Sequence, residues 1–161
     1  MLHKANRIHI IGSVASGKST FARKLSSQKG IPYFELDNIM WKRDPLGDSR
    51  RNVEERKDIL HSIVLMDSWI IEGVHYEEWI NESLEYADTI VFLDTPIYKR
   101  NFRILKRFFE ERLGFKQGNY PQTFVMLKKM YQWNLRYKKV DMPKVKRRLG
   151  PYKEKLFMVK G

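Results

Sequence analysis

Gly12, Gly17, Lys18 and Ser19 stand in the spacing G-x-x-x-x-G-K-[ST], inside the run RIHIIGSVASGKST at residues 7–20. Glycines among small residues let successive backbone N–H groups turn inward around an anion, while an amine followed by a hydroxyl adds a positive charge and a hard oxygen ligand. This chemistry suits the tail of a nucleotide. Gly12, Ser13, Val14, Ala15, Ser16, Gly17, Lys18, Ser19 and Thr20 would wrap the phosphate oxygens, with Lys18 reaching the β and γ phosphates and Ser19 ligating Mg²⁺. Such a cradle needs a strand in front and a helix behind. Both are predicted: Ile8, Ile10 and Ile11 read as a buried strand over 7–11, and Phe21 and Leu25 share one face of a helix from about 18 to 28.

The elements that follow alternate in kind. PYFELD gives a short strand ending at Asp37, residues 51–66 form an amphipathic helix, SWIIEG is a strand cut off at Gly73, and DTIVFLD is a strand rich in β-branched and aromatic residues. TPIYKRNFRILKRFFEER forms a helix with Pro96 near its start, closed by the loop LGFKQGNYP. Residues 122–139 make another helix, whose Met126, Met130, Trp133 and Tyr137 form a core-facing stripe, and KLFMV supplies a fifth strand. Strands separated by helices require crossover connections. The fold class is therefore α/β, a five-stranded, mostly parallel sheet with helices on both faces, in one domain over residues 1–161.

Composition narrows the partners. Residues 1–95 hold 12 Lys and Arg against 15 Asp and Glu, whereas residues 96–161 hold 19 against 4, so the whole net charge of +12 comes from the last two fifths. That asymmetry points to a polyanion, either substrate phosphates or a nucleic acid backbone, against the plainer reading of a solvated basic surface. Cysteine is absent, which excludes disulfides and thiolate chemistry. No stretch approaches the apolar length of a membrane span, and MLHKAN lacks the apolar core of a secretory signal; the expectation is a soluble cytoplasmic protein with no membrane partner.

Arg100, Arg103 and Arg107, at i, i+3 and i+7, share a basic stripe on the helix after Pro96. Glu72 and Asp94 each end a hydrophobic strand, where ligands gather in open parallel sheets, so both are candidates for the metal; Asp94 has the alternative role of stabilising its turn.

Together GSVASGKST, LDNIMWKR, SWIIEGVHYEEW and FLDTPIYKRNFRILKR resemble the family labelled DNA topology modulation protein (FlaR-like), kinase-like phosphate-loop proteins related to adenylate kinase and shikimate kinase. The resemblance implies a P-loop NTPase fold with a helical lid near 98–125 and an acceptor-binding region near 37–66. It implies Arg103 and Arg107 as lid arginines, one beside the nucleotide base and one on the transferring phosphates, Glu72 holding Mg²⁺ through water, and Asp37 aimed at an acceptor hydroxyl. Capping of the next helix is the alternative role for Asp37. The position at which adenylate kinase carries an acceptor-gripping arginine reads Tyr76 here, leaving Lys42 and Arg43 as substitutes and Trp41 and His75 as lining. The implied function is a kinase that moves the γ-phosphoryl of ATP, or another nucleoside triphosphate, to a small acceptor. The alternatives are a nucleotide-regulated nucleic acid binder and a bare NTPase switch.

Overall fold

The computed structural model describes residues 4–114 and 123–161. The chain runs β1 (Arg7–Gly12), α1 (Lys18–Lys29), β2 (Tyr33–Glu35), α2 (Leu36–Met40), then β3 (Trp41–Lys42) and β4 (Ser49–Arg50), which pair as a small antiparallel ribbon. It continues with α3 (Val53–Val64), β5 (Trp69–Gly73), a 3₁₀ turn and α4 (Asn81–Tyr86), β6 (Thr89–Asp94), α5 (Ile97–Arg112) and α6 (Phe124–Arg136). A π turn (Tyr137–Asp141), α7 (Met142–Leu149), a further 3₁₀ segment and β7 (Leu156–Lys160) complete it. The main sheet has the order β2-β5-β1-β6-β7, and every pairing in it is parallel.

Alternation along the strands divides the apolar residues between two layers. Ile8, Ile10, Ile70, Val91 and Leu93 meet Ala22, Phe21 and Leu25 of α1. Ile11, Ile71, Ile90 and Phe92 face the other way, onto Leu36, Leu60, Trp79, Leu84, Tyr137 and Val145. β1 lies at the centre, with the crossovers to β5 and β6 on either side, so its C-terminal end opens at the switch point where ligands bind such sheets.

Two expectations are corrected. The strand expected to end at Asp37 stops at Glu35, because Leu36, Ile39 and Met40 are all buried and a helical turn presents them together to the core. The expected core stripe of α6 also rotates. Met130 and Tyr137 are buried, but Trp133 is 45% exposed and Asn134 is the buried residue between them, its amide donating to the Asn101 side chain on α5 at 2.6 Å. Residues 115–122, within the loop expected to close α5, lie outside the described residues. Among the described residues no helix is long and apolar enough to cross a membrane.

One titratable group sits wholly inside this core. His9 on β1 is fully buried, with Nδ1 3.0 Å from the Ser83 oxygen, and the Ser83 hydroxyl donates to the Ile80 carbonyl, so the imidazole is the donor to serine. Burial lowers its pKa from 6.5 to about 3. The unfolded chain therefore binds a proton between those values that the folded chain refuses, and stability falls as pH drops below 6.5. Urea unfolding should show the wild type losing about 2 kcal/mol more than His9→Leu between pH 7 and pH 5; equal losses would remove His9 as the source of acid sensitivity.

Candidate active site

The loop after β1 has the backbone geometry that its small residues allow. Ala15 and Gly17 take positive φ of 57° and 97°, and the Ser16 amide donates to the Ser13 carbonyl at 3.2 Å. A Cβ on Gly12 would lie 2.7 Å from Ser16 Oγ and 3.1 Å from the Leu93 carbonyl, so the close turn excludes a side chain there. Gly17 caps α1 without any side-chain acceptor, and the first turn carries no acidic residue. The leading amides of α1 are thus left to an external anion.

Two residues hold the loop from outside. Thr95 Oγ1 donates to the Ser16 carbonyl at 2.8 Å, and Arg103 Nη1 donates to the same oxygen at 2.6 Å. With that carbonyl fixed toward α5, the planar trans peptide turns the Gly17 N–H to the opposite side. Thr95 is buried in the turn between β6 and α5. Sequence reasoning passed over it, since a threonine before a proline carries no motif of its own.

Glu72 ends β5 with its side chain almost fully buried. Ser19 Oγ donates to its Oε1 at 2.6 Å, while Lys18 Nζ lies 3.6 Å from its Oε2, a buried oxygen with no hydrogen-bond partner among the described residues. A hydroxyl and a carboxylate of this kind are ligands for a hard divalent cation, which would complete its shell with phosphate oxygens and water. Among the described residues no group of three or more His, Cys, Asp or Glu could hold a metal by itself. Glu35 stands in register with Glu72 on the neighbouring strand. Its pKa is raised, first by burial and then by the Glu72 charge. Glu35 is the second residue missed, because adjacency to Glu72 depends on pairing between strands that are 37 positions apart.

Asp94 does not join this group. It follows Leu93, which faces α1, so alternation turns Asp94 to the opposite face of the sheet, where its charge acts on Arg100 and Tyr137. The basic stripe also divides. Arg103 reaches the phosphate loop, Arg107 pairs with Glu111, and Arg100 is 1% exposed with its guanidinium over the Tyr137 ring at 5.6 Å. Desolvation lowers the Arg100 pKa.

Asp37 lies in the first turn of α2. The helix has no side-chain cap, and Asp37 Oδ1 instead meets His75 Nε2 at 3.1 Å; its capping alternative is not what the structure displays. His75 Nδ1 is 3.4 Å from Glu77 Oε2, and the imidazole packs against Trp79 with ring centroids 5.5 Å apart. The hydrogen bond from His75 is the main reason that the Asp37 pKa is lowered, with burial opposing it. The same kind of bond carries Glu77 down to about 2. Burial alone would lower His75, but its bonds to Asp37 and Glu77 outweigh that and leave its pKa above the usual value.

The neighbouring cations are engaged locally. Arg43 pairs with Asp48, and Arg51 Nη1 donates to the Asn38, Ile39 and Trp41 carbonyls at 2.8, 3.1 and 2.9 Å, closing the end of α2. Tyr76 turns its hydroxyl to Asp141 at 2.9 Å, and Lys42 is exposed on β3. Trp41 packs against the core beside α2.

No family model matches the chain, and no curated protein matches it, so the likeness to DNA topology modulation proteins rests on motifs alone. Solved structures do match. A shikimate kinase from Acinetobacter baumannii in complex with shikimate aligns with a TM-score of 0.56 at 17% identity, covering 91% of this chain and 82% of that one. A shikimate kinase from Bacteroides thetaiotaomicron aligns with a TM-score of 0.54 at 14% identity, covering 97% and 86%. At these identities the likeness is one of fold: this chain has the α/β phosphate-loop architecture of those enzymes, with the five-stranded parallel sheet expected from its sequence.

Proposed function

We propose that the protein is a small-molecule phosphotransferase that binds a nucleoside triphosphate in the loop of residues 12–20 and transfers its γ-phosphoryl to an acceptor held beside Asp37. The observation that carries this reading is the buried Glu72 carboxylate, hydrogen-bonded to Ser19 and 3.6 Å from Lys18, directly behind the anion-ready amides of α1. Glu35 and Asp37, one on the adjacent strand and one on the helix turn after it, extend the carboxylate group toward the acceptor side. The structurally similar Acinetobacter baumannii shikimate kinase, solved in complex with shikimate, is consistent with a hydroxyl acceptor on this fold.

In this reading the loop amides and Lys18 hold the β and γ phosphates, and Ser19 and Glu72 hold Mg²⁺, directly or through water. The metal would offset charge on the transferring group. The acceptor oxygen forms a bond to the γ-phosphorus as the bridging bond to the β-phosphate breaks. ADP departs, and the hydroxyl proton passes to Asp37 or to water. Asp37 mainly orients the hydroxyl, since its lowered pKa makes it a weak base and a loose transition state asks little of a base. Arg103, already on the loop, needs a short shift to reach phosphate oxygens; Arg107, paired with Glu111, must first leave that partner.

Part of the basic excess after residue 95 is used within the fold. Arg148 donates to the Tyr76 carbonyl, Lys155 to the Glu85 and Ala87 carbonyls, and Lys99 to Gly161, while Arg100 is buried. These contacts explain part of the charge without a nucleic acid partner.

Calorimetry should detect binding of MgATP or MgGTP to the wild type, and Lys18→Ala should weaken it by at least tenfold; no heat with either nucleotide would overturn the reading. Coupled ADP release across sugars, polyols, nucleosides, nucleotides and shikimate-like acids should rise above the water background with at least one acceptor. A uniformly flat panel would leave only an NTPase. Arg103→Ala should slow transfer on the order of 10³-fold if its guanidinium reaches the transition state, whereas a purely structural role would lower the melting temperature and leave turnover per folded molecule unchanged.

A further inference from the structure

We propose that His75 is the positioning residue of the acceptor side, pinned by Glu77 on one ring nitrogen so that the other holds Asp37 Oδ1 and turns the remaining carboxylate oxygen toward the acceptor hydroxyl. The inference rests on the phosphotransfer reading above and names what orients its acceptor carboxylate.

The geometry carries it. A neutral imidazole has one N–H donor, yet both His75 nitrogens face carboxylate oxygens, Nε2 at 3.1 Å from Asp37 and Nδ1 at 3.4 Å from Glu77. Both contacts are attractive only when both nitrogens carry hydrogen. A third constraint sets the ring plane, because Trp79 packs on the imidazole and is itself 4% exposed, with the Arg56 guanidinium 5.7 Å from its indole centroid. Arg56 is fixed in turn through Nε, which donates to the Arg51 and Asn52 carbonyls at 3.0 Å each. The imidazole therefore has its position set by packing and its proton held by two carboxylates. The side chain of His75 is 13% exposed, whereas those of Asp37 and Glu77 are 44% and 50% exposed, so the clamp stands at the mouth of the site with its histidine inside.

Glu77 has a separate role from Asp37. Without it, one nitrogen would lose its acceptor, and the neutral ring could present a lone pair to Asp37 instead of a hydrogen. With it, Asp37 stays anionic and oriented. The other charges facing this clamp are Lys18 and Arg43, which act on Asp37, Glu35, on whose carboxyl the Asp37 charge acts, and Arg56 beyond Trp79. The raised pKa of His75 and the lowered pKa values of Asp37 and Glu77 agree in direction with this arrangement. Loss of the His75 proton with rising pH would release Asp37, so phosphoryl transfer should fall through the His75 midpoint.

The experiment uses water as the acceptor, which needs no identified substrate. Imidazole resonances of the wild type and Glu77→Gln are titrated by NMR, with His75 assigned by its absence in His75→Gln, and Lys18-dependent MgATP hydrolysis is followed over the same pH range. Expected is a His75 midpoint above 6.5 that moves down by about one pH unit in Glu77→Gln. The alkaline limb of hydrolysis should move with it, so that at the wild-type midpoint the variant turns over about fivefold more slowly with KM for MgATP unchanged. A His75 midpoint at or below 6.5, or a limb that stays in place while the midpoint moves, overturns the proposal. If Lys18→Ala hydrolyses MgATP as fast as the wild type, the turnover does not arise at the phosphate loop, so the phosphotransfer reading loses its site and the positioning role falls with it; if the wild type hydrolyses none, the His75 midpoint and its shift in Glu77→Gln decide the proposal alone. The half-exposed Glu77 keeps the fold out of the comparison.

Discussion

Glu72 carries a charge into the protein interior, and the geometry of the site follows from how that charge is satisfied. Its backbone is fixed by β5, which pairs with β1 on one side and β2 on the other. A buried carboxylate is costly unless paired and hydrogen-bonded, and here the pairing comes from Ser19 and Lys18 at the start of α1. The same contact therefore docks the first turn of α1 against the end of β5. Its second oxygen has no hydrogen-bond partner among the described residues, and the Glu35 carboxyl lies alongside on the neighbouring strand. Such a site retains capacity for a cation, and an arriving metal–phosphate group would relieve the repulsion between the two carboxylates.

Charge is arranged differently on the opposite side of the loop. There Thr95 and Arg103 converge on one carbonyl, that of Ser16. A guanidinium engaged by a neutral backbone oxygen gives up less on leaving than one paired with a carboxylate. On the proposed reading Arg103 would exchange the carbonyl for a phosphate, while Arg107 is held by Glu111 and Arg100 is buried over Tyr137. Three arginines that share a stripe in the sequence have three different environments. Helical spacing establishes which side chains point the same way, and the elements packed on that face decide what each one meets.

Legibility in the sequence followed the range of the interaction. The phosphate loop was readable because it is built from consecutive residues whose small size and backbone freedom are visible as letters, and the five strands were readable as short apolar or aromatic runs set between helical segments. Glu72 and Asp94 looked equivalent, since each ends a hydrophobic strand. Alternation relative to the paired strands sends Glu72 to the α1 face and Asp94 to the other, and that parity depends on register. Trp133 looked like core because it falls on one helical stripe with Met126, Met130 and Tyr137, yet Asn134 took the buried position through a hydrogen bond to Asn101, 33 residues away. Asp37 was identified as an acceptor-side candidate, but its partner His75 lies 38 residues on, and no local pattern announces that pair.

The two halves of the site consequently specify their ligands by different means. On the proposed reading the nucleotide side is made largely of backbone amides held in one loop conformation, on the α/β architecture that this chain shares with the shikimate kinases. The acceptor side is made of side chains brought from α2, the segment after β5 and α3, with Arg51 closing the end of α2 through three carbonyls and Arg56 bracing Trp79. Substitutions at the partly exposed Asp37 and Glu77 alter charge there while leaving the core contacts of β1 and α1 in place, whereas Trp79 belongs to the core that Ile11 of β1 packs against. On the proposed reading a shared fold thus constrains the phosphate donor far more tightly than the acceptor, whose recognition would be read from Asp37, His75, Glu77 and Trp79 in this chain.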